Sequence, residues 1–356
     1  MVEQEDQITS TFKGFLRGHG DMVTSIVSGD VSSEGGASSL LVSGSRDKTL
    51  IIWSLVGYDA ETKDYGRPKK CLTGHSHFVT DLALSSKNNY LISSSWDKTL
   101  RLWNLSTCTS EIFNQAKNQE INTVCFSKDD RHIYSGGCEE SLHLWNIKGE
   151  MKNTSTQENH SDWVSRVRFS PSSKHAFYAS AGWDGKLKLW NGFFKNNGYI
   201  QAHDAPIYAL SIASNGTFIA TGGKDQTVKL FNISESTSPK VTFKCESVVN
   251  DLAFNPMFRM IAAATDKAIV VWSINNVDTE KVSHVIKPQD PNQEGNDEDE
   301  DSESINEDDD EDEDVTKTKT RLNIRFTSLA WSSDGSTLFA GCSDGNIQVF
   351  HIEGNN

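Results

Sequence analysis

The sequence has no run of 18 apolar residues, so no segment of its 356 residues reads as a membrane span. Its opening residues, MVEQEDQITSTF, are polar and acidic, which is read as excluding a signal peptide. Cys71, Cys108, Cys125, Cys138, Cys245 and Cys342 are scattered, with no C-x-x-C pair and no histidine at zinc spacing. That excludes a disulfide scaffold or a zinc module, and predicts reduced core thiols in a cytoplasmic protein without metal or cofactor. There is no G-x-S-x-G, no glycine-rich phosphate loop and no H-E-x-x-H, so the chain is read as non-enzymatic. No stretch carries a helical period either. What remains is strand.

The formal net charge of −15 belongs to one place. Residues 297–314, DEDEDSESINEDDDEDED, hold 14 acids and no base, and −15 + 14 leaves −1 for everything else. Such a run has only Ile305 to bury and repels itself, so residues 289–319 are expected to be a disordered insertion. It should stand away from RNA, and Ser302 and Ser304 within it resemble sites for acid-directed kinases. It could be a tolerated loop expansion or a screen over basic surface.

The rest of the chain repeats. An acid stands six residues before an aromatic at Asp47/Trp53, Asp97/Trp103, Glu139/Trp145, Asp184/Trp190, Asp225/Phe231, Asp266/Trp272 and Asp344/Phe350. The aromatics lie 50, 42, 45, 41, 41 and 78 residues apart; without about 37 residues around the acidic run, the last interval is another repeat. The stretches between acid and aromatic (TLIIW, TLRLW, KLKLW, TVKLF, AIVVW, NIQVF) suit buried strands. Two further strands precede each turn, for example VTDLALS and LISSSWD. Together these predict an all-β chain of seven four-stranded units, 1–356 forming one domain. Residues 8–16, ITSTFKGFL, precede the first unit, and the seventh runs out after three strands, so the N-terminal strand should close the ring as its outer strand.

His19, His75, His160 and His203 precede their turn acids Asp47, Asp97, Asp184 and Asp225 by 28, 22, 24 and 22 residues. Each acid can accept turn N–H groups and a histidine N–H, tying two connections together, which gives these residues, Asp266 and Asp344 structural rather than catalytic roles. Units 3, 6 and 7 lack such a histidine and should be less rigid. This pattern of G-H, Asp and Trp resembles the WD-repeat family of seven-bladed β-propellers. The stretches GHSHFVTDLALSS, SRDKT, HSDWVSRVRFSP and TSLAWSSDGSTLFAG are similar, more specifically, to the receptor for activated C kinase, itself similar to G-protein β subunits. That resemblance runs from Thr9 to Ile352, the acidic insertion excepted. It implies a scaffold on the head of the small (40S) ribosomal subunit, contacting rRNA and ribosomal proteins and docking protein kinase C-type kinases and translation regulators. The same resemblance implies a cytoplasmic, ribosome-associated protein, with homodimers possible off the ribosome, and rRNA contact through Arg46 and Lys48.

The residues themselves single out that turn. Of the seven acids, only Asp47 has a base on each side, Arg46 and Lys48. Two adjacent cations suit neighbouring phosphates, although exposed turn charges are ordinarily only solvated. Lys98 occupies the equivalent turn of unit 2, and Lys69 and Lys70 are read as lying in the connection between units 1 and 2. Trp96 and Trp183, beside their turn acids, are either protein-contact anchors or packing against a neighbouring unit. The competing functions are a G-protein β-like signalling adaptor acting off the ribosome, and a ubiquitin-ligase substrate receptor. The first needs an N-terminal coiled coil and the second an accessory domain, and neither is evident in the sequence.

Overall fold

The apolar run that ends the first repeat does not alternate, because both of its faces are covered. In Leu50–Leu55 the first four side chains are all buried. The computed structural model describes residues 8–33, 36–114, 119–155, 159–172, 176–191, 195–234, 238–274, 284–291 and 323–354. The acidic run 297–314, with Ser302 and Ser304, lies outside them. The described strands form seven four-stranded sheets, every pairing antiparallel. Blade 1 comprises β2 (Val23–Ser33), β3 (Gly36–Ser45), β4 (Leu50–Leu55) and β5 (Gly66–Leu72). Blades 2 to 6 run from Val79 to Asn114, Ile121 to Thr154, Val164 to Gln201, Ile207 to Lys244 and Val249 to Ile286. The first strands of successive blades touch in cyclic order, with blade 7 meeting blade 1, so the sheets form a closed seven-bladed propeller.

Its hydrophobic core sits between blades rather than at the centre. Seven separate apolar clusters each fill one joint. The repeat aromatic is the plug. Trp53 packs between blades 7 and 1, Trp103 between 1 and 2, and Trp145 between 2 and 3. Trp190, Phe231, Trp272 and Phe350 fill the remaining joints in order. Side chains of this size contribute about 2 to 3 kcal/mol each when fully buried.

Three blades fix the plug to the turn through a chain of hydrogen bonds, and a fourth keeps all of that chain but its first link. In blade 1 the Trp53 indole N–H donates to Ser43 Oγ at 2.8 Å, Ser43 Oγ lies 2.7 Å from His19 Nε2, and His19 Nδ1 is 2.9 Å from Asp47 Oδ2. Asp47 can only accept, so His19 donates to it from Nδ1 and meets Ser43 with Nε2. Trp103–Ser93–His75–Asp97 and Trp190–Ser180–His160–Asp184 repeat the chain. In blade 5 Thr221 and Phe231 replace serine and tryptophan, so His203 still bridges Thr221 and Asp225 but the ring supplies no donor. Blade 3 departs from expectation. It lacks the loop histidine but uses His143, from its own third strand, against Glu139 at 2.6 Å. Asp266 instead accepts from Asn250 at 2.9 Å, and Asp344 from its neighbour Asn346.

A second device links the blades. Every first strand carries a register shift after its opening residue, at Val23/Ser25, Val79/Asp81, Ile121/Thr123, Val164/Arg166, Ile207/Ala209, Val249/Asp251 and Phe326/Ser328. The residue inside the bulge turns toward the next blade. Thr24 donates to Val79 O at 2.7 Å, Thr80 to Ile121 O at 2.7 Å, Asn122 to Val164 O at 3.1 Å and Asn250 to Phe326 O at 2.8 Å. Thr327 donates to Val23 O, which carries the link across the point where the chain's ends meet. At blade 4 the position is Ser165, which bonds Ala181 O in its own blade, and at blade 5 it is Tyr208. The blades also approach so closely that a Cβ on Gly44 would meet the Val79 side chain at 2.7 Å.

Blade 7 consists of β26 (Phe326–Trp331), β27 (Thr337–Cys342), β28 (Ile347–Gly354) and, outermost, β1 (Ile8–Leu16). The N-terminal strand therefore closes the ring as its pattern implied. β1 pairs with β28 from Ile8↔Gly354 to Leu16↔Ile347 and bulges at Lys13, beside Gly14, whose φ of 128° suits glycine. That bulge lets Phe15 bond Lys63 O at 2.9 Å and Tyr65 N at 2.8 Å, tying the closing strand to blade 1. Phe15 and Leu16 are buried. Of the cysteines, Cys125 and Cys342 are core thiols as expected, whereas Cys71 is exposed because it lies on an outermost strand.

Deleting residues 1–16 should abolish a single cooperative melt, since blade 7 loses its outer strand and the joint it covers; an unchanged transition would show that the ring closes without β1. Thr24→Val keeps the shape and removes one inter-blade bond, and should lower unfolding free energy by about 1 to 2 kcal/mol in urea titration. Burial would raise the pKa of Asp184, but hydrogen bonds from His160 and the Ser161 and Lys186 amides outweigh it and lower it from 3.8 to about 2. A depressed carboxylate stabilises the fold above its unfolded pKa and stops doing so as pH falls through the folded value. Asp184→Asn should therefore cost about 2 kcal/mol at pH 7, with the difference from the parent vanishing as pH drops from about 4 toward 2.

Candidate nucleic-acid interface on the loop face

The turns carrying the repeat acids and the connections carrying the histidines lie on one face of the ring, because both occupy the same end of their strands. On that face the acid between two bases is turned inward. Asp47 accepts from the Gly20 amide at 2.9 Å, the Thr49 amide at 2.8 Å and the Thr49 hydroxyl at 2.7 Å, besides His19. Burial opposes ionisation, but the His19 and Thr49 hydrogen bonds prevail and hold the Asp47 carboxyl far below the usual range. Asp47 is thus ionised and occupied, and neither flanking base is its partner. Arg46 and Lys48 are both exposed. The Arg46 guanidinium rests 5.3 Å from the centre of the Phe78 ring, which orients it without neutralising it.

The residue after the acid has a left-handed backbone in five blades: Lys48 (φ 73°), Lys98 (72°), Gly185 (72°), Gln226 (61°) and Gly345 (87°). Glycine is the easy residue there, and a side chain costs about 1 kcal/mol. Lys48 and Lys98 are held at a strained position from which they project outward.

The other three cations differ from the first pair. Lys98 is half-buried and stands 3.9 Å from Glu120, which partly offsets its charge. Lys69 and Lys70 do not lie in a connection between blades. They belong to β5, where Lys70 pairs with Ile52, because the stretch after Tyr65 straightens into the outermost strand of blade 1. Both are exposed, and lysines on an edge strand also discourage pairing with a second chain. The structure therefore brings Arg46 and Lys48 together on one turn, keeps Lys98 on the same face, and sets Lys69 and Lys70 on the rim.

Trp96 and Trp183 lie on the loop face at the mouth of the central channel and line one cavity. Trp96 donates its indole N–H to Asn122 Oδ1 of blade 3 at 3.0 Å. Trp183 lies against Trp163 at a tilt of 34° with ring centres 4.5 Å apart, and remains 36 % exposed. Arg166 and Arg325 line the same cavity and went unremarked in the sequence, since they come from blade 4 and the start of blade 7 and no local spacing joins them. Below the mouth, Arg168 bridges to buried Asp81 at 2.7 Å across the channel, and burial is outweighed there by the two arginines, which keep Asp81 ionised.

The repeat profile described as "WD domain, G-beta repeat" matches residues 10–54, 66–104, 107–146, 151–191, 194–232, 237–273 and 321–351. The first six segments each take the outer strand of one blade with three strands of the next, an offset of one strand that makes β1 the closing element. The seventh begins after the acidic run and holds three strands only. The chain is 37 % identical to the small ribosomal subunit protein RACK1 of Neurospora crassa, over 96 % of both chains. It is 34 % identical to the small ribosomal subunit protein RACK1y of Oryza sativa subsp. japonica, covering 98 % of this chain and 97 % of that one. For the small ribosomal subunit protein RACK1 of Drosophila melanogaster the identity is 33 %, over 97 % and 98 %. A profile match in every blade and this identity along almost the whole length place the chain in the WD-repeat family and, within it, in the RACK1 family.

Proposed function

We propose that this protein is a scaffold bound to the small ribosomal subunit in the cytoplasm, attached through phosphate contacts of Arg46 and Lys48 to rRNA. The observation that carries the reading is the turn itself. Its acid is consumed by His19 and Thr49, so two uncompensated cations stand side by side on an exposed, rigid corner. A guanidinium can grip one phosphate with two parallel N–H bonds while the ammonium meets its neighbour as a point charge. Contacts of this kind set placement rather than base sequence. Lys98, Lys69 and Lys70 extend the patch at lower weight, and the rest of the ring remains available to ribosomal proteins of the subunit head, kinases and translation regulators. The names of the curated relatives, each a small ribosomal subunit protein, support this assignment.

The double variant Arg46→Asp with Lys48→Glu should fold with the parent's melting temperature and lose co-sedimentation with small subunits, by at least about tenfold at physiological salt. Retained co-sedimentation would dismiss this contact. Lys48→Gly is the finer test: it relieves the left-handed backbone, so the melting temperature should stay level or rise while subunit binding weakens and its salt dependence becomes shallower. A lower melting temperature would mean that Lys48 is there for the fold.

A further inference from the structure

The cavity at the channel mouth, about 380 Å³, shares only Arg46 with the rRNA contact argued above. One arc of its wall is aromatic: Trp96, Trp163, Trp183 and Tyr208. Three guanidinium groups, Arg46, Arg166 and Arg325, share it with a single carboxylate, Asp266. Asn250, which donates to Asp266 at 2.9 Å, is neutral, so the positive surplus at the mouth rests on three guanidiniums against one carboxylate, with buried Asp81 below drawing on Arg166. Arg166 rises from the inner strand of blade 4 into the channel, where its Nη1 bonds Ser165 O at 3.2 Å and its buried Nε has no hydrogen-bond partner among the described residues. A buried guanidinium N–H without an acceptor is costly unless something else supplies one. Arg325 is exposed at the rim, its backbone held by Ser343 Oγ at 3.1 Å.

Three of these four aromatics lie where the inter-blade links give out. Ser165 and Tyr208 replace the threonine or asparagine that ties one blade to the next elsewhere, and Trp163, Trp183 and Tyr208 pack there instead. That substitution leaves an indole face at the rim of an arginine-lined hole. A cationic ligand is disfavoured by three guanidiniums. A nucleic acid strand fits poorly, because the cations converge on one hole rather than lining a track.

We propose that this mouth is a docking site for an acidic peptide segment of a partner protein, one or two Asp or Glu carboxylates meeting Arg166 and Arg325 while an adjacent aromatic side chain lies against Trp183. Carboxylates match the guanidinium fork, and the apolar wall supplies an anchor of the kind that dominates binding energy at interfaces. The proposal goes beyond ribosome attachment and is measured on the free protein, so failure of either leaves the other standing.

The test uses fluorescein-labelled Gly-Asp-Asp-Phe-Asp-Gly, the same peptide with lysines for aspartates, and an oligouridylate of eight nucleotides, each titrated into the full chain by anisotropy. The acidic peptide should bind at least about tenfold more tightly than the other two. Arg325→Gln, at an exposed position, should weaken it by about tenfold, and Trp183→Ala likewise, with melting temperatures showing both folded. Lys87→Gln, which removes a cation from the opposite face, should leave affinity unchanged. Equal affinity for the acidic and lysine peptides, or indifference to Arg325→Gln, overturns the site; tighter binding of the oligouridylate overturns the identity of its ligand.

Discussion

A seven-bladed ring has no central core, so its stability depends on seven joints, and each joint depends on one aromatic plug. Trp53 and its six counterparts are buried between blades, not within them. Most of what is regular in the chain follows from keeping that plug in place. The serine beneath the indole, the histidine beneath the serine and the acid beneath the histidine run from the joint to the surface turn. The bulge residues do the complementary work at the inner edge, where Thr24, Thr80, Asn122, Asn250 and Thr327 reach across to the next blade's backbone.

That architecture explains why an acidic turn residue can be bracketed by bases without neutralising them. Asp47 belongs to the joint; Arg46 and Lys48 belong to the surface. Because the acid is fixed from below, the backbone of the corner is rigid, and little backbone entropy is left to lose when the two cations bind. The left-handed backbone at Lys48 shows the same division, since glycine serves the turn equally well in blades 4 and 7.

The fold was legible in the sequence because its determinant is periodic: an acid six residues before an aromatic can be counted, and the incomplete seventh unit pointed to β1. The inter-blade links were not legible. A threonine or asparagine near the start of a strand looks ordinary until the bulge turns it outward, and Gly-His spacing could not reveal that His143 stands in for the missing histidine of blade 3. Lys69 and Lys70 were placed in a connection because a stretch rich in lysine and proline reads as loop, whereas pairing with β4 makes it an edge strand. Arg46 and Lys48 could be singled out by comparing seven turns with one another. Arg166 and Arg325 could not, because only closure of the ring brings them to one cavity.

The central claim is that the corner carrying Arg46 and Lys48 faces rRNA on the small subunit. Quantitative acetylation of lysines in the subunit-bound and free protein tests it most directly, because each ammonium reports its own contact. The account predicts strong protection of Lys48, weaker protection of Lys98, Lys69 and Lys70, and unchanged reactivity of Lys87 on the opposite face. Protection of Lys87 with Lys48 left fully reactive would turn the propeller over and contradict the account.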